Sequence, residues 1–563
     1  MATTTRRRAK KRTRREVLTL TTPPAGKRVW VLDMPFRMSH PKVRWYPDPG
    51  VHAFIGAQLP PELVPFGSMK YTRLRRIEDS YNLTPGPPID SVRWTLRPIQ
   101  KEMAAELVAS LQAWNHAVLS ADTGVGKTLA AIAAARVFLA DVPAAKVLVV
   151  VDRPAAITIR SWAAAIAGVG DGGLDWLVSS PDQLERLLGP RGGVRESFDL
   201  VIADETQNFR HPSERTELLK KVAEFSKGQV PIVSVTATLG HNPSEYLLLA
   251  PLLAAVRGEQ LSQWRDVGRR LIALGHPLVP NRFSPGDYTW SDAAREDATL
   301  QQRSTGQVQR WLASARPPAI VHRAAPWGPP HVRAIGVDLD GAQFAEYQQE
   351  WREFRRVNGI ARTRGDGQAG RAALTRFRQK ASFLRVSHTV GLALSQVQKG
   401  RQVVISVEHV TTGADPIAEA IEAAGIACSR IYGDHDAAEE RVAFQLGRKP
   451  VCVVSKTSAI SLHANEEMPD GRRASSAPRI GLMHQPRYSG IAAQQVIGRT
   501  HRDGQASPWF LLFARGTIEE EAAQIMVEHA LNATASAGAS TRAWGRVAGL
   551  FGIQWLSDND DEL

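Results

Sequence analysis

Two series of short apolar segments constrain the fold of this 563-residue chain more than any other feature. Within each series, the segments recur at regular intervals and are separated by helical or loop-forming sequence. This alternation is typical of parallel β-sheets that helices cover on both faces. The first series is "HAVLSAD", "KVLVVVD", "LDWLVSS", "FDLVIADE" and "PIVSVTAT"; the second is "RQVVISVE", "ACSRIYGD", "PVCVVSK", "PRIGLMH" and "PWFLLFAR". The sequence therefore predicts an α/β protein with two parallel-sheet domains in tandem.

The limits of the two series predict how the chain is divided. A chain of 563 residues is too long for one core. The insertion between the two series is rich in Trp and Arg and contains the Pro-rich stretch "ARPPAIVHRAAPWGPP". The predicted segments are a disordered basic tail (1–16), a small accessory module with β-strands (17–92), a first domain (93–255), a helical insertion or linker (256–375), a second domain (376–535) and a C-terminal extension (536–563).

Charge and cysteine content narrow the class of protein. The net charge is +14, and eight basic residues between Arg6 and Arg15 supply more than half of it. Such a tail suits a polyanion, although a solubilising or import segment is the alternative. The two cysteines, Cys428 and Cys452, cannot build a disulfide framework or a cysteine zinc site. We expect a monomer that is cytoplasmic in a bacterium or phage-infected cell, or nuclear in a eukaryote, with no membrane partner. The accessory module (17–92) is a candidate surface for protein partners.

The stretch "ADTGVGKT" follows an apolar segment and opens the helical segment "LAAIAAARVFLA". This is the pattern of a phosphate-binding loop in its usual strand–loop–helix context. Backbone N–H groups of such a loop wrap phosphates at the positive end of the helix. We expect Lys127 to reach the β- and γ-phosphates of ATP, and the Thr128 hydroxyl to bind Mg²⁺. The predicted ATP-binding residues of this loop are Thr123, Gly124, Val125, Gly126, Lys127 and Thr128.

The segment "FDLVIADETQNF" ends an apolar run with two adjacent carboxylates, Asp204 and Glu205. An Asp–Glu pair at a strand end is usually part of a solvated loop. Because this pair follows a phosphate-binding loop in the expected order, we interpret Asp204 as a magnesium ligand and Glu205 as the carboxylate that activates water.

The segment "QQVIGRTHRDGQ" places Arg499 and Arg502 three residues apart. We expect this segment to be helical, which would place the two side chains on one face. One interpretation is a solvated basic face. The other is a pair of arginines that complete an ATP site from the second domain, with Gln495 and Gln505 positioning them.

The order of these motifs resembles that of superfamily 2 helicases and translocases over roughly residues 95–530. "LRPIQ" is similar to the adenine-reading segment of the chromatin-remodeller (Swi/Snf) branch, which implies that Arg97 and Gln100 bind ATP. "VTATLGHNPSEY" resembles the coupling motif and implies that role for Thr236 and Thr238. "SAISLHAN" and "QQVIGRTHRDGQ" resemble motifs V and VI, and are most similar to those of strawberry notch-type helicases. The resemblance implies that Gln495 also contacts ATP.

The same resemblance implies contacts with nucleic acid. "VVVDRPAAITIRSW" and "LVSSPDQL" resemble first-domain loops that hold a nucleic-acid backbone, which implies this role for Arg153, Pro154 and Ser180. The resemblance of "SAISLHAN" to motif V implies the same role for Ser461 and His463. The implied partner is double-stranded DNA.

The resemblance implies two RecA-like domains that enclose ATP and Mg²⁺ in a cleft. The implied catalytic residues are Glu205, Gln207, Arg499 and Arg502, and Gln207 stands where these families usually carry His. A Gln can still hydrogen-bond across the cleft. The resulting prediction is an ATP-dependent DNA helicase or translocase. The alternatives are a nucleic-acid-binding scaffold with a degenerate motor, and a P-loop ATPase that acts on RNA or protein.

Overall fold

The computed structural model describes most of the chain beyond residue 95. The described residues are 28–32, 43–46, 51–56, 58, 60–61 and 63, and 96–555 except 152–154, 189–193, 226–229, 283, 364–366, 456–459 and 469–470. The basic tail (1–16) and the predicted nucleic-acid residues Arg153 and Pro154 lie outside them. The chain divides into two compact units, Met1–Leu83 and Thr84–Leu563. Among the described residues, no helix has the length and apolar character needed to cross a membrane.

The first unit contains a small antiparallel sheet. Its strands are β1 (Arg28–Leu32), β2 (Val43–Tyr46) and β3 (Val51–Gly56), in the order β1-β3-β2. Leu32, Phe54 and Leu63 are buried against one another. The β-containing accessory module predicted from the sequence is therefore confirmed.

The second unit contains two six-stranded sheets, each with parallel pairing throughout. The first sheet has the order β11-β4-β8-β7-β5-β6. Its strands are β4 (His116–Ala121), β5 (Lys146–Val150), β6 (Asp175–Ser179), β7 (Leu200–Asp204), β8 (Ile232–Thr236) and β11 (Ile320–Arg323). We call this sheet and the helices that pack on it the first lobe.

The helices of the first lobe lie on both faces of its sheet, and a two-stranded hairpin accompanies them. The helices are α1 (Pro98–Trp114), α2 (Lys127–Phe138), α3 (Ala155–Val169), α4 (Leu184–Leu187), α5 (Glu214–Phe225), α6 (Ala250–Arg257), α7 (Val267–Ala273), α8 (Asp292–Glu296) and α9 (Ala298–Ser314). The hairpin pairs β9 (Leu278–Pro280) with β10 (Tyr288–Trp290).

The second sheet has the order β12-β17-β16-β13-β15-β14 and, with its helices, forms the second lobe. Its strands are β12 (Val332–Val337), β13 (Gln402–Ser406), β14 (Cys428–Ile431), β15 (Val451–Val454), β16 (Arg479–Met483) and β17 (Trp509–Ala514). Its helices are α10 (Gly341–Thr363), α11 (Gly367–Phe383), α12 (Val386–Gln398), α13 (Asp415–Ala423), α14 (Ala437–Gln445), α15 (Gly490–Ile497), α16 (Ile518–Ser536) and α17 (Arg542–Ala548).

The tandem RecA-like α/β fold predicted from the sequence is confirmed by these two sheets. All ten predicted apolar segments form strands, and the interior strand β4 is buried along its whole length. This burial explains why the segments read as continuous apolar runs, because both faces of a parallel sheet are covered by helices.

The range 256–375 differs from the helical insertion that the sequence predicted. It holds the long helix α10 and the start of α11, but also β11 and β12, which are edge strands of the first and second sheets. Strand β11 lies within the Pro-rich stretch and β12 follows it, and the prolines favour reading the whole stretch as a linker. The chain therefore leaves the first sheet at Arg323 and enters the second at Val332.

Candidate active site

The loop between β4 and α2 has the backbone geometry of an anion-binding turn. Gly124 and Gly126 have φ angles of +90° and +99°, a region that side chains other than glycine rarely adopt. A Cβ on Gly126 would also lie 2.0 Å from Nε2 of Gln100. Helix α2 begins at Lys127, and no side chain caps its N-terminus. Its first N–H groups are therefore oriented toward an anion, as the sequence motif predicts.

Lys127 is half-buried at the end of this loop. Its ammonium group donates hydrogen bonds to the carbonyl oxygens of Ala121 (2.6 Å) and Asp122 (3.3 Å). Burial lowers the pKa of Lys127, while the nearby Glu205 carboxylate opposes that change. The cation thus lies between the loop and the carboxylates at the end of β7.

The segment "LRPIQ" packs against the same loop. The Arg97 N–H donates to Oε1 of Gln100 (2.9 Å), and Nε2 of Gln100 donates to the carbonyl of Val125 (3.2 Å). Gln100 is buried, whereas the Arg97 side chain is exposed and lies 3.7 Å from Asp503 of the second lobe. The structure therefore brings Gln100 to the phosphate loop, whereas the Arg97 side chain lies near Asp503.

Asp204 is the last residue of β7, and its carboxylate accepts two hydrogen bonds. Nε1 of Trp162 donates to Oδ2 (2.7 Å), and the Glu205 N–H donates to Oδ1 (3.0 Å). Burial raises the pKa of Asp204 to about 7, and the adjacent Glu205 carboxylate adds to the rise. Trp162, on α3, was not identified from the sequence, because no spacing in the motif relates it to Asp204.

Gln207 holds the Glu205 carboxylate from within the first lobe. Glu205 has a φ of +50°, uncommon for a residue with a side chain and often found at functional sites. Nε2 of Gln207 donates to its Oε2 (2.5 Å), and Oγ1 of Thr236 donates to Oε1 of Gln207 (2.6 Å). The Thr238 N–H donates to Oγ1 of Thr236 (2.9 Å). This chain of bonds links Glu205 to the end of β8.

Gln207 does not make the contact that the sequence suggested. It is buried, and both hydrogen-bond partners described for its amide lie in its own lobe. The bond across the cleft comes instead from Gln495, whose Nε2 lies 3.4 Å from Oε2 of Glu205. The Gln207 amide thus bridges Glu205 and the neighbouring strand end in its own lobe, and Gln495 supplies the contact from the opposite lobe.

The helical placement of Arg499 and Arg502 was wrong. Helix α15 ends at Ile497, and both arginines lie in the turns that follow. Asp503 and Gly504 have φ angles of +52° and +79°, so an Asp-Gly turn redirects the backbone directly after Arg502. The two side chains consequently do not share a helix face.

Arg502 lies against the phosphate loop of the first lobe. A Cβ on Gly124 would be 2.9 Å from Cβ of Arg502 and 3.3 Å from its Nε. Burial lowers the pKa of Arg502, and the Asp503 carboxylate, 3.7 Å from Nε, opposes this. One residue before the arginine pair, Gly498 also contacts the loop, because a Cβ there would lie 2.5 Å from Oγ1 of Thr123. The cleft between the lobes is closed at this point.

Arg499 has different surroundings. It is buried, its Nη1 lies 3.5 Å from the carbonyl of Ile460, and its own carbonyl accepts the Leu462 N–H (2.8 Å). These contacts tie Arg499 to the segment that resembles motif V. Gln505, predicted to flank the pair, accepts a hydrogen bond from Asn465 (3.3 Å).

The predicted nucleic-acid residues inside the described range are mostly buried. Ser180 precedes a short 3₁₀ turn at the end of β6 and is buried. Oγ of Ser461 lies 2.7 Å from Nδ1 of His463, which is buried and 3.6 Å from Asp503. Burial lowers the pKa of His463. Their contact with nucleic acid stays a prediction.

The donor set fits a magnesium ion. Mg²⁺ binds through one or two protein oxygens together with phosphate oxygens. Thr128 is the second residue of α2, and the carboxylate of Asp204 lies at the end of β7, in the neighbourhood of Lys127. Two adjacent half-buried carboxylates, one with a raised pKa, form a site that a divalent cation would stabilise. Thr128 and Asp204 are therefore the residues that would hold it.

Comparisons with known proteins add one sequence match. Residues 93–159 match the model of the family described as "Type III restriction enzyme, res subunit". This range contains Arg97, Gln100 and the whole phosphate loop, so the match agrees with the superfamily 2 resemblance over those residues. No curated protein matches the chain. The similarity to strawberry notch-type helicases stays a prediction.

One similar solved structure is the SWI2/SNF2 ATPase core of Sulfolobus solfataricus in complex with dsDNA. The two chains share 16% identity, and the alignment covers 82% of this chain and 98% of that chain with a TM-score of 0.31. A likeness at this level adds nothing to the fold already described from the sheets.

Proposed function

We propose that this protein is an ATP-dependent DNA helicase or translocase that couples ATP hydrolysis to movement along duplex DNA or to its remodelling. The observation that carries the proposal is the contact of Arg502, from the second lobe, with Gly124 in the phosphate loop of the first. A cation held there from the opposite lobe makes hydrolysis depend on closure of the cleft.

The residues around the loop divide the work of phosphoryl transfer. The ammonium of Lys127 would exchange its two loop carbonyls for phosphate oxygens. Arg502 would bind the γ-phosphate from the other side and stabilise charge in the transition state. A magnesium ion held by Thr128 and Asp204 would neutralise phosphate charge.

Glu205 would orient the attacking water. Gln207 and Gln495 hold its carboxylate from the first and second lobes, so its geometry is set by both. The bonds from Gln207 to Thr236 then extend this arrangement to the end of β8, where the sequence resembles the coupling motif. Opening of the cleft would break the Gln495 bond and leave Glu205 held from one side only.

Duplex DNA is the proposed partner for two reasons. The chain carries a net charge of +14, concentrated in its first residues, and phosphate contacts dominate affinity for DNA. The family that matches residues 93–159 is named for a restriction-enzyme subunit. Both reasons support nucleic acid as the polyanion.

Steady-state ATPase assays with equal concentrations of duplex DNA, single-stranded DNA and duplex RNA test this proposal. We expect duplex DNA to raise turnover by roughly tenfold or more, because strand binding to both lobes would favour the closed cleft. Glu205→Gln is the control, since it should bind DNA without hydrolysing ATP.

Each alternative has a distinct outcome in these assays. Stimulation by RNA alone would favour an RNA-directed ATPase. Binding of DNA without turnover in any mixture would favour a scaffold with a degenerate motor. Either result would contradict the proposal.

A further inference from the structure

The connection between the two lobes runs over the phosphate loop. Strand β11 pairs with β4 so that Arg323 lies beside Ala121, the first residue of the loop motif. The chain then crosses to β12, and the carbonyl of His331 accepts the Trp509 N–H (2.8 Å) at the edge of the second sheet. We call residues 324–331, which span this crossing, the strap.

The strap is hydrogen-bonded to the loop at its first end. The Asp122 N–H donates to the carbonyl of Arg323 (3.1 Å), and the Ala325 N–H donates to Oδ2 of Asp122 (2.7 Å). Arg323 is itself anchored by an ion pair with Glu106 of α1 (2.5 Å). The start of the strap is therefore fixed to a residue of the phosphate-loop motif.

The indole of Trp327 packs on the same glycine that Arg502 contacts. A Cβ on Gly124 would lie 3.2 Å from Cζ2 of Trp327 and 2.9 Å from Cβ of Arg502. Both side chains thus approach one point on the loop. Nε1 of Trp327 is buried and has no hydrogen-bond partner in the described part of the chain. A buried donor without a partner carries a free-energy cost. The indole therefore keeps this position through the packing of its ring and not through a hydrogen bond.

The strap is bonded to the second lobe beside Arg502. Nε2 of His501 lies 2.9 Å from the carbonyl of Gly328, and Nδ1 of His501 accepts the Ser507 N–H (3.4 Å). This pattern requires the neutral tautomer with the proton on Nε2. Burial of the ring lowers the pKa of His501, which favours the same neutral form. The residue next to Arg502 in sequence is therefore fixed to the residue next to Trp327.

We propose that Trp327 is a positioning residue that seats Arg502 on the phosphate loop and that carries movement of the loop to the second lobe through the strap. This inference rests on the proposed ATPase. Glycine at position 124 lets the indole and Arg502 meet the loop backbone directly. When the loop reorganises around phosphates, Gly124 moves the ring, and the Gly328–His501 bond moves the segment that bears Arg502. A misplacement of about 1 Å at such a group costs roughly 10²-fold in rate.

A double-mutant cycle tests this role. We expect Trp327→Ala to lower kcat by roughly 10- to 100-fold with little change in KM for ATP. If Trp327 acts through Arg502, the double variant Trp327→Ala/Arg502→Ala should be no slower than Arg502→Ala alone. A tryptophan that serves only stability would instead lower activity by a factor that multiplies with that of Arg502→Ala. Multiplying effects, or unchanged kcat in Trp327→Ala, would overturn the proposal.

A second measurement covers the case in which Trp327→Ala does not fold. Trp327→Phe keeps an aromatic ring in the same place, although a smaller one, and its tryptophan fluorescence can be compared with the wild type on addition of MgADP and MgATP. We expect the wild-type change to be largely lost in Trp327→Phe and kept in Trp311→Phe. Trp311 is a suitable control, since it packs under Arg257, whose guanidinium lies 4.5 Å from the ring centre. An equal change in Trp327→Phe and wild type would overturn the proposed link to the loop.

The two proposals fail in distinguishable ways. Wild-type protein that does not hydrolyse ATP with any nucleic acid contradicts the proposed function and, with it, the seating of Arg502. If the wild-type protein hydrolyses ATP and Trp327→Ala has the same kcat, only the positioning role of Trp327 is contradicted.

Discussion

Arg502→Ala should lower ATP turnover by roughly 10³- to 10⁵-fold at saturating duplex DNA, while affinity for ATP changes only modestly. The guanidinium lies against Gly124 of the opposite lobe, where it can stabilise charge that develops on the γ-phosphate. An interaction of this kind is stronger in the transition state than in the ground state, so the loss falls on kcat. Arg502→Lys should rescue only in part, because an ammonium lacks the planar fork that bridges two phosphate oxygens.

Steady-state kinetics of Arg502→Ala beside Arg515→Ala check this expectation. Arg515 is an exposed arginine of the same lobe, paired with Asp338 at 2.9 Å, so removing it controls for the loss of one positive charge. We expect Arg515→Ala to keep wild-type turnover. Unchanged turnover in Arg502→Ala would contradict a role for its guanidinium in the transition state.

Lys127→Ala and Glu205→Gln should both stop turnover, but by different routes. Lys127 is the half-buried cation of the loop, and its loss should weaken ATP binding by roughly 10- to 100-fold, the value of a charge-assisted hydrogen bond. Glu205→Gln preserves the shape of the side chain and removes the carboxylate, so ATP should bind normally while turnover falls by roughly 10²- to 10⁴-fold.

Equilibrium binding of a fluorescent ATP analogue, measured together with turnover, separates the two routes. Thr236→Val is a useful third variant, because it removes only the hydroxyl that bonds to Gln207 and should cost far less than either. Normal turnover in Glu205→Gln would assign water activation to another residue.

The phosphate loop and the adjacent carboxylates were accessible to sequence reasoning because their chemistry is local. Glycines at defined spacing, a lysine and a strand end stand next to one another in the chain, so residues 121–128 and Asp204-Glu205 could be located without tertiary information. The ten apolar runs likewise marked strands, because both faces of each sheet are buried. Strands β11 and β12 were missed, since each lies at a sheet edge and adjoins prolines.

The contacts that complete the site depend on tertiary placement. Trp162 reaches Asp204 from α3, and Trp327 reaches Gly124 from the connection between the lobes. Nothing in the spacing of either tryptophan marks its partner. The helical reading of the arginine pair failed for a local reason, because the Asp503-Gly504 turn follows a helix that ends at Ile497. The Asp-Gly sequence favours a turn, and this preference prevailed over the helical spacing of the two arginines.

Closure of the two lobes on ATP should drive movement along duplex DNA. Displacement of a third strand from a DNA triplex measures this movement, since a moving protein removes the third strand without separating the duplex. Wild-type protein with MgATP should displace the third strand at a rate that follows ATP turnover, and Glu205→Gln should displace none. DNA-stimulated hydrolysis without displacement by the wild-type protein would contradict this expectation.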